Sequence, residues 1–528
     1  MGTISEIPAG AIITGPWMAP AIPEVSLPRF VMSEWARRGD KPAMIDALSG
    51  RRFSYRALAA AVREAASMLL ASGIARGDVL ALCCPNSPEF AVVYYGALAA
   101  GAVVSMMSPE ASEAEAAAQL EDCDAGWVAT TPELAGMLAR AAAPGPAELL
   151  LVGECFAGGC SPRPAPEIAP RELAVLLRSS GTTGLPKSVM LTHRNLVAGL
   201  LSLQAPEPVS EDDVVLAVLP LCHIAGMQVV MNHSLSSGAT VVTLPKFDLE
   251  AFLGAIERYR VTRIVVAPPI VLALAKHPLV DRYDLSSLRV LASGAAPLGS
   301  GLARAAARRV GCRIKQGYGM TEASAICMAP DDGPDRPESI GPPLPGVQCR
   351  IVEPATGADV TPGQAGELLA RSPAQMRGYL GNEQATAATI DVGGWLHTGD
   401  IVRADPDGWL HVVDRVKELI KYKGRQVAPA ELEQILLSHP AVADAAVIGC
   451  PDEEAGEIPK ALVVPRTQVE PAELLAFVAT RVSPHKRIRR LEFVAEIPKS
   501  PSGKILRRVL KVREQAGKGP WRCSQHRT

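Results

Sequence analysis

The dominant pattern along the chain is an alternation of helix-like segments with short apolar runs, beginning at about Leu58. The runs lie at 79–82, 103–106, 149–152, 173–177, 241–244, 264–267 and 290–293. Strands that alternate with helices are typical of parallel sheets covered by helices on both faces. The pattern therefore predicts the α/β class, with mostly parallel sheets.

Two long stretches carry no charged residue, 90–109 and 214–245. The first is about as long as a membrane-spanning helix, but Gly101 interrupts it, Ala and Gly outnumber Leu and Ile, and a β-branched run follows. It predicts a buried helix and then a buried strand, with no membrane span. The second contains Pro220 and Gly238 and predicts a strand, a loop, a helix and a strand within a core.

The pattern changes after Trp395. The sequence DPDG at 405–408 predicts a hairpin turn between short strands. Pro429 then lies near the first turn of a predicted helix, and further strands are expected at 442–448, 461–464 and 491–494. A final segment of about 110 residues is long enough to be an α+β domain of its own. We place the boundary near Arg415, with a large domain at 1–415 and a small one at 416–528.

Composition narrows the classes of function. The chain has 528 residues, 53 Lys and Arg against 55 Asp and Glu, and a formal net charge of −2. Such a length predicts more than one domain, and the balanced charge gives no overall field for nucleic acid or an anionic membrane. The 11 cysteines include no C-x-x-C pair, so reduced core thiols are expected. No secretory signal is visible, so we expect cytoplasmic residence by default.

The strongest chemical signal is the segment SSGTTGLPK at 179–187, directly after an apolar run. Its glycines allow close backbone approach, its hydroxyls donate hydrogen bonds, and Lys187 adds a cation. This composition predicts a phosphate cradle. The segment differs from a Walker A loop, because Pro186 precedes the lysine and a strand follows it.

The segment SSGTTGLPKSVMLTH resembles the signature loop of adenylate-forming enzymes, the superfamily that includes acyl-CoA synthetases. Six further motifs follow in order: LPLCHIAGM (219–227), SGAAPLG (293–299), QGYGMTEAS (316–324), GWLHTGD (394–400), VDRVKELIKYKGRQVAPAELE (413–433) and PKSPSGKILRR (498–508). The fifth motif is most similar to that of 4-coumarate–CoA ligases. The resemblance implies a multi-subdomain N-terminal domain, a small C-terminal domain on a hinge, and the cofactors ATP, Mg²⁺ and coenzyme A. A carboxylate would attack the α-phosphate of ATP, and a thiol would then displace AMP from the acyl-AMP.

The same resemblance assigns roles to individual residues. It makes Thr321 an α-phosphate ligand, Glu322 the Mg²⁺ ligand, and Asp400 and Arg415 the ribose contacts. Lys504 would bridge the carboxylate and the α-phosphate as the adenylation cation, with His223 beside the acyl carboxylate. The remaining nucleotide contacts would come from Ser179, Ser180, Gly181, Thr182, Thr183, Gly184, Lys187, Gly294, Ala295, Ala296, Gln316, Gly317, Tyr318 and Gly319.

Because Lys504 lies in the small domain and the cradle in the large one, the resemblance implies a domain swing between the two half-reactions. The hinge maps to Lys417. Lys421 and Gln426 would then serve the second step or contact AMP. Basic residues also cluster from Ser483 to Gly517, and we assign them to phosphate contacts and solvated faces in preference to nucleic acid.

The sequence departs from the coumarate-ligase pattern around the acyl pocket, which we assign to Cys222, Ala225, Ala292, Ala325 and Ile326. Cys222 and Ala225 replace common aromatics, and Ala292 replaces a lysine of some plant enzymes. Arg425 replaces a phenylalanine beside the approach of coenzyme A, and Ser188 replaces a frequent glycine. An aryl or arylacrylic acid is the expected substrate, because a glycine- and alanine-lined slot suits a planar ring; a medium-chain fatty acid is the alternative.

Three classes of function stay open at this point. The first is an ATP-dependent carboxylate–CoA ligase. The second is an adenylating enzyme that passes the acyl group to a carrier-protein thiol or another nucleophile, which Arg425 motivates. The third is a non-enzymatic nucleotide-binding scaffold. The retained Lys187, Glu322, Asp400 and Lys504 argue against the third. The sequence does not reveal the oligomeric state.

Overall fold

The computed structural model describes residues 12–143, 145, 147–153, 161–179, 187–361, 363–415, 418–422, 425–452, 455–500 and 503–515. Strands and helices are labelled in chain order. The chain forms two mostly parallel sheets with helices between and around them, an antiparallel sheet, and a C-terminal α+β unit. The α/β prediction is confirmed.

The first sheet belongs to the large N-terminal part and has eight strands in the described part of the chain. Its strands are, in spatial order, β15 (Ser324–Met328), β14 (Arg313–Met320), β13 (Val290–Ser293), β12 (Arg263–Val266), β10 (Val214–Ala217), β11 (Thr240–Thr243), β2 (Pro42–Asp46) and β3 (Arg52–Ser54). Neighbours from β14 to β2 pair in parallel, and the edge strands β15 and β3 pair antiparallel. The apolar runs predicted as strands at 241–244, 264–267 and 290–293 are found here.

The second sheet is built in the same way. Its spatial order is β18 (Gly378–Tyr379), β9 (Lys187–Thr192), β8 (Leu173–Ser179), β5 (Val103–Met107), β4 (Val79–Cys83), β6 (Trp127–Thr130) and β7 (Glu148–Leu151). The strands from β8 to β7 are parallel, whereas β9 and β18 are antiparallel. The phosphate-cradle segment therefore connects β8 to the adjacent antiparallel β9.

The third sheet is antiparallel throughout. It runs β1 (Ile13–Thr14), β16 (Gln348–Val352), β17 (Gly366–Arg371), β19 (Leu396–Ala404) and β20 (Leu410–Arg415). The predicted turn at 405–408 connects β19 to β20. Short hairpin connections allow only antiparallel neighbours, and this sheet accordingly departs from the parallel pattern of the first two.

The C-terminal unit contains its own sheet, β22 (Arg425–Val427), β21 (Ile420–Tyr422), β24 (Gly456–Pro465) and β23 (Val442–Asp452), with β25 (Arg490–Phe493) beside β24. Its helices are α13 (Pro429–Ser438), α14 (Pro471–Ala479) and α15 (Arg507–Gln515). Pro429 is the first residue of α13, as predicted. A separate core built around Ile420, Leu432 and Val463 holds this unit together, and the domain boundary near Arg415 stays a prediction.

The helices of the large part are α1 (Leu27–Val31), α2 (Trp35–Arg38), α3 (Tyr55–Ser72), α4 (Pro88–Ala99), α5 (Glu113–Asp122), α6 (Pro132–Ala142), α7 (His193–Leu203), α8 (His233–Ser237), α9 (Leu249–Tyr259), α10 (Pro268–Lys276), α11 (Ser300–Val310) and α12 (Glu383–Thr389). Short 3₁₀ helices lie at Pro278–Arg282 and Pro484–Lys486, and a π-helix at Ala225–Asn232. Thr192 begins α7 with a capping box, its hydroxyl accepting a hydrogen bond from Asn195 N.

The uncharged stretch 90–109 is explained by the position of α4. This helix packs against α3 in a core cluster shared by the first two sheets, so residues on every side of it are buried. A helix surrounded by apolar neighbours needs no polar face. Among the described residues, no helix is both long and apolar enough to cross a lipid bilayer. The described cysteines are buried free thiols.

Candidate active site

One predicted phosphate ligand that the structure describes with its surroundings is Lys187, at the end of the β8–β9 pair. Ser179 and Lys187 are register partners at the last rung of this pair. The Lys187 ammonium lies 4.9 Å from the centre of the Tyr379 ring, on β18 next to β9. An aromatic face attracts a cation and restricts its range. The predicted contacts Ser180, Gly181, Thr182, Thr183 and Gly184 lie outside the described residues.

Glu322 lies in the turn between β14 and β15, next to Thr321, and its carboxylate is buried. The Tyr379 hydroxyl donates to Glu322 Oε1 at 2.9 Å, and Met376 N donates to the Glu322 carbonyl at 2.7 Å. Burial and the neighbouring Glu322 carboxylate raise the pKa of Tyr379, so its hydroxyl stays a neutral donor. Tyr379 thus joins Glu322 to Lys187. The sequence reasoning missed it, since a single tyrosine far from both motifs gives no local signal.

The carboxyl ends of β13 and β14 supply a wall of small residues. Gly294 and Ala296 follow β13, with Ala295 between them at a φ of 69°, a backbone conformation that an alanine adopts at an energetic cost. On β14, a Cβ at Gly319 would lie 2.3 Å from the Ser324 carbonyl oxygen, so the close approach of β15 requires glycine. Ligands of parallel sheets bind at this edge.

Gln316 and Gly317, also on β14, lie at the same edge. The Gln316 side chain bonds to the main chain, accepting from Leu298 N at 3.0 Å and donating to the Pro337 carbonyl at 2.6 Å. Its amide therefore fixes the loops on either side. The nucleotide contact predicted for Gln316 stays a prediction, and its anchoring role leaves no signal in the sequence.

Asp400 and Arg415 face each other as register partners on β19 and β20. Arg415 Nε donates to Asp400 Oδ1 at 2.8 Å, and the Tyr318 hydroxyl donates to Asp400 Oδ2 at 2.6 Å. Burial and the Asp400 carboxylate raise the pKa of Tyr318, which keeps its proton. Asp400 is 4% exposed. Its carboxylate is therefore held rigidly, with a free lone pair on each oxygen for further donors such as vicinal hydroxyls.

Lys504 reaches this cluster from the C-terminal unit. Burial, followed by the Arg415 cation, lowers the pKa of the Lys504 ammonium, while the carboxylates of Asp400 and Glu322 act in the opposite direction. Burial and the Lys504 charge in turn lower the pKa of His223, which follows β10. Lys504 of the C-terminal unit thus shares one electrostatic environment with His223 and Glu322, which follow strands of the first sheet, and with Asp400 and Arg415 of the third sheet.

Four of the five predicted acyl-pocket residues lie on the π-helix, just before it or on β15, which contacts it. Cys222 precedes it, and burial raises the pKa of this thiol to about 12. Ala225 is its first residue, while Ala325 on β15 packs in the cluster that includes Val229 of the π-helix. Ala292 is buried within β13, and Ile326 is packed in the core of the third sheet at 1% exposure. π-Helices are rare in proteins, but those that occur are often found at functional sites. The hydrophobic periodicity of the sequence did not predict this one.

The residues predicted for the second step are placed apart from this cluster or outside the described part. Lys421 lies exposed on β21, where its backbone N–H donates to Glu457 at 2.8 Å. Gln426 lies on β22, its side chain beyond what the structure describes, and Lys417 falls between described segments. Their roles stay predictions.

The donor set fits Mg²⁺ shared with a nucleotide. Within the described ranges, no group of three or more His, Cys, Asp or Glu residues could hold a metal alone. Mg²⁺ is commonly held by one or two carboxylates together with substrate phosphates. The buried Glu322 carboxylate, with Lys187 and Lys504 as counter-charges for phosphate, matches that arrangement.

Comparisons with known proteins agree with this geometry. Residues 32–380 match the family described as AMP-binding enzyme, and residues 431–504 match the AMP-binding enzyme C-terminal domain. A 4-coumarate–CoA ligase of Pinus taeda is 40% identical over 501 residues, covering 90% of this chain and 93% of that protein.

Solved structures align over nearly the whole chain. ATP-bound MatB from Rhodopseudomonas palustris superposes with a TM-score of 0.87 at 27% identity, covering 93% of this chain and 99% of that one. Apo MatB from the same organism gives 0.76 at 27% identity, covering 94% and 99%. The family resemblance and the prediction of an AMP-forming acid–thiol ligase are confirmed. Matched along both of its parts, the chain belongs to the AMP-binding enzyme family.

Proposed function

We propose that this chain is an ATP-dependent carboxylic acid–CoA ligase that acts on an aryl or arylacrylic acid through an acyl-AMP. The observation that carries the proposal is the docking of the Lys504 turn against Ala267 of the large part, where the charges of Asp400 and Glu322 act on the Lys504 ammonium. A cation placed where negative charge develops stabilises the transition state of acyl or phosphoryl transfer. The similarity to 4-coumarate–CoA ligases supports the substrate class.

In the proposed reaction, the carboxylate of the acid attacks the α-phosphorus of ATP and pyrophosphate leaves. Asp400 accepts the ribose hydroxyls, and Lys504 holds the acyl carboxylate against the α-phosphate. Mg²⁺, held by Glu322, would neutralise phosphate charge. The lowered pKa of His223 keeps its imidazole neutral near pH 7, so it offers a hydrogen bond without adding a second cation beside Lys504.

The acyl pocket is proposed to be apolar and without a free cation. Ala292 pairs in register with Lys315 on β14, but the Lys315 ammonium binds Glu207 and Asp331 in buried ion pairs. Its charge is therefore already balanced. A planar ring between the π-helix and the glycine-rich end of β14 suits this lining. We expect apolar contacts with the ring of the substrate to contribute more to binding than hydrogen bonds to a hydroxyl on that ring.

A panel of acids assayed for pyrophosphate release, with and without coenzyme A, tests the proposal. Cinnamic acids with and without ring hydroxyls, benzoic acids and medium-chain fatty acids are the probes. Release with aryl acids and formation of a CoA thioester supports it. Release without thioester would favour a carrier-protein thiol or another nucleophile as acceptor, and no release with any acid would leave a nucleotide-binding scaffold. Residence in the cytoplasm stays a prediction from the sequence.

We further propose that residues 416–528 move as a unit between the two half-reactions, about a hinge at Lys417. The better superposition on ATP-bound MatB than on apo MatB supports an arrangement for adenylation in this structure. In it the turn that carries Lys504 is docked on the large part, whereas Lys421 is exposed. The thiol step would then require a different arrangement.

Replacing Lys417 with proline is expected to spare acyl-AMP formation and to slow thioester formation at least about tenfold, because proline restricts the φ angle that a hinge must change. Single-turnover assays of each half-reaction measure the split. Lys417→Ala is the matched variant and should retain both steps. Equal rates of thioester formation in the proline and alanine variants would contradict the hinge.

A further inference from the structure

The loop that carries Lys504 is a tight turn. Lys499 and Ile505 form an antiparallel bridge at its base, and Ser500 N donates to the Lys504 carbonyl at 2.8 Å. Gly503 has a φ of 81° and faces the large part, where a Cβ added to it would lie 3.2 Å from the Ala267 Cβ. The loop therefore docks at the end of β12, and small shifts of its base would move Lys504.

The two ends of the loop are tied to the C-terminal unit by ion pairs. The Lys499 ammonium lies 2.6 Å from Asp444 Oδ2, with both side chains about a quarter exposed. At the other end, Arg507 begins α15 and is more deeply buried, at 14% side-chain exposure. Its position three residues after Lys504 makes Arg507 the nearest buried anchor on that side.

The Arg507 guanidinium connects several separate segments. Nη2 donates to both carboxylate oxygens of Glu433 on α13, at 2.8 and 2.7 Å, and Nη1 pairs with Glu418. Nε donates to the Val447 carbonyl on β23 at 3.4 Å. A planar guanidinium that uses each edge in this way fixes orientation as well as position.

Glu418 connects the ion pairs of Arg507 to the proposed hinge. It lies one residue beyond Lys417, and its backbone N–H donates to the Arg415 carbonyl at 3.0 Å. The Arg507–Glu418 pair thus links the segment that leaves the hinge with the loop that carries Lys504. Asp414 lies in the same field; burial raises its pKa to about 7, and Ala430 N of α13 donates to its carboxylate at 3.2 Å.

We propose that Arg507 is a positioning residue for adenylation: its ion pairs with Glu418 and Glu433 hold the Lys504 loop in its docked position against Ala267 of the large part. This inference rests on the adenylation role proposed for Lys504. Arg507 itself lies in the C-terminal unit and acts through Lys504.

The first test compares Arg507→Lys and Glu418→Gln with Glu431→Gln, which removes the ion pair to Lys486 elsewhere in the same unit. Arg507→Lys keeps the charge but cannot hold both carboxylates in a fixed geometry. The acyl-AMP half-reaction should fall about tenfold in kcat, since small misplacements of a reacting group are costly, at unchanged KM for ATP. Thioester formation from supplied acyl-AMP and the activity of Glu431→Gln should stay within about twofold of wild type. Equal loss in both half-reactions, or none, would overturn the inference.

The second test distinguishes positioning from a structural role. If Arg507 acts through Lys504, the double variant Lys504→Ala with Arg507→Lys should adenylate no more slowly than Lys504→Ala alone. Multiplied losses would overturn the inference, with thermal unfolding recorded for each variant to identify loss of folded protein. Full adenylation by Lys504→Ala would overturn the proposed role of Lys504 together with the inference, whereas multiplied losses overturn the inference alone.

Discussion

Replacing Lys504 with alanine is expected to slow acyl-AMP formation by about 10²–10³, the cost of removing one preorganised donor from a developing oxyanion. The charges of Glu322, Asp400 and Arg415 act on the ammonium because the loop docks on the large part. Thioester formation from supplied acyl-AMP should stay largely intact, since the bond between the α- and β-phosphates of ATP has already been broken in acyl-AMP. Rapid-quench measurements of each half-reaction give the two rates separately.

The matched control is Lys246→Ala, which removes an exposed lysine of the large part. It should change neither rate by more than about twofold. A loss of the same size in both half-reactions of Lys504→Ala would show that Lys504 has no special part in adenylation. Retained pyrophosphate release would contradict the proposed mechanism directly.

The second large effect is expected for Asp400→Asn. The substitution keeps the shape of the side chain but removes the negative charge of the carboxylate, which pairs with Arg415 and accepts a hydrogen bond from the Tyr318 hydroxyl. Hydrogen bonds to a charged group contribute about 1.5–3 kcal/mol each, so weakened contact with two ribose hydroxyls should lower kcat/KM for ATP by about 10². Pyrophosphate release measured against ATP concentration, at saturating acid, tests this.

Asp407→Asn is the control for that substitution. Asp407 lies at the turn of the same β19–β20 hairpin, where it pairs with Arg336 near the surface. An ion pair of this kind contributes little, so kcat/KM for ATP should stay near that of wild type. A similar loss in both variants would mean that the hairpin, and not the Asp400 carboxylate, governs nucleotide binding.

Much of the fold followed from periodicity, because buried strands and amphipathic helices leave direct patterns. The apolar runs at 79–82 and 103–106 became β4 and β5, and the first part of the uncharged stretch 90–109 became α4, which packs against α3. The antiparallel third sheet was less predictable. Its pairing depends on contacts such as that between β16 and β17, which turn signals within the sequence do not specify.

The motifs identified individual site residues, but they did not show which of these residues contact each other. Asp400 and Arg415 lie in different motifs, and their pairing became visible only in the register of β19 with β20. Tyr379 and Arg507 act through contacts with residues distant in sequence. A single tyrosine or arginine has no periodicity to mark it, so such contacts require coordinates.

The π-helix at Ala225–Asn232 has a consequence for how this region tolerates a change in chain length. A π-helical turn holds more residues than an α-helical turn, so a one-residue deletion there would be absorbed by a return to ordinary α-helical winding, and α8 would continue in the same direction. The β19–β20 hairpin, on a separate sheet, would keep its place. Such a deletion would therefore change the side chains presented along Ala225–Asn232 and leave the Asp400–Arg415 pair in place.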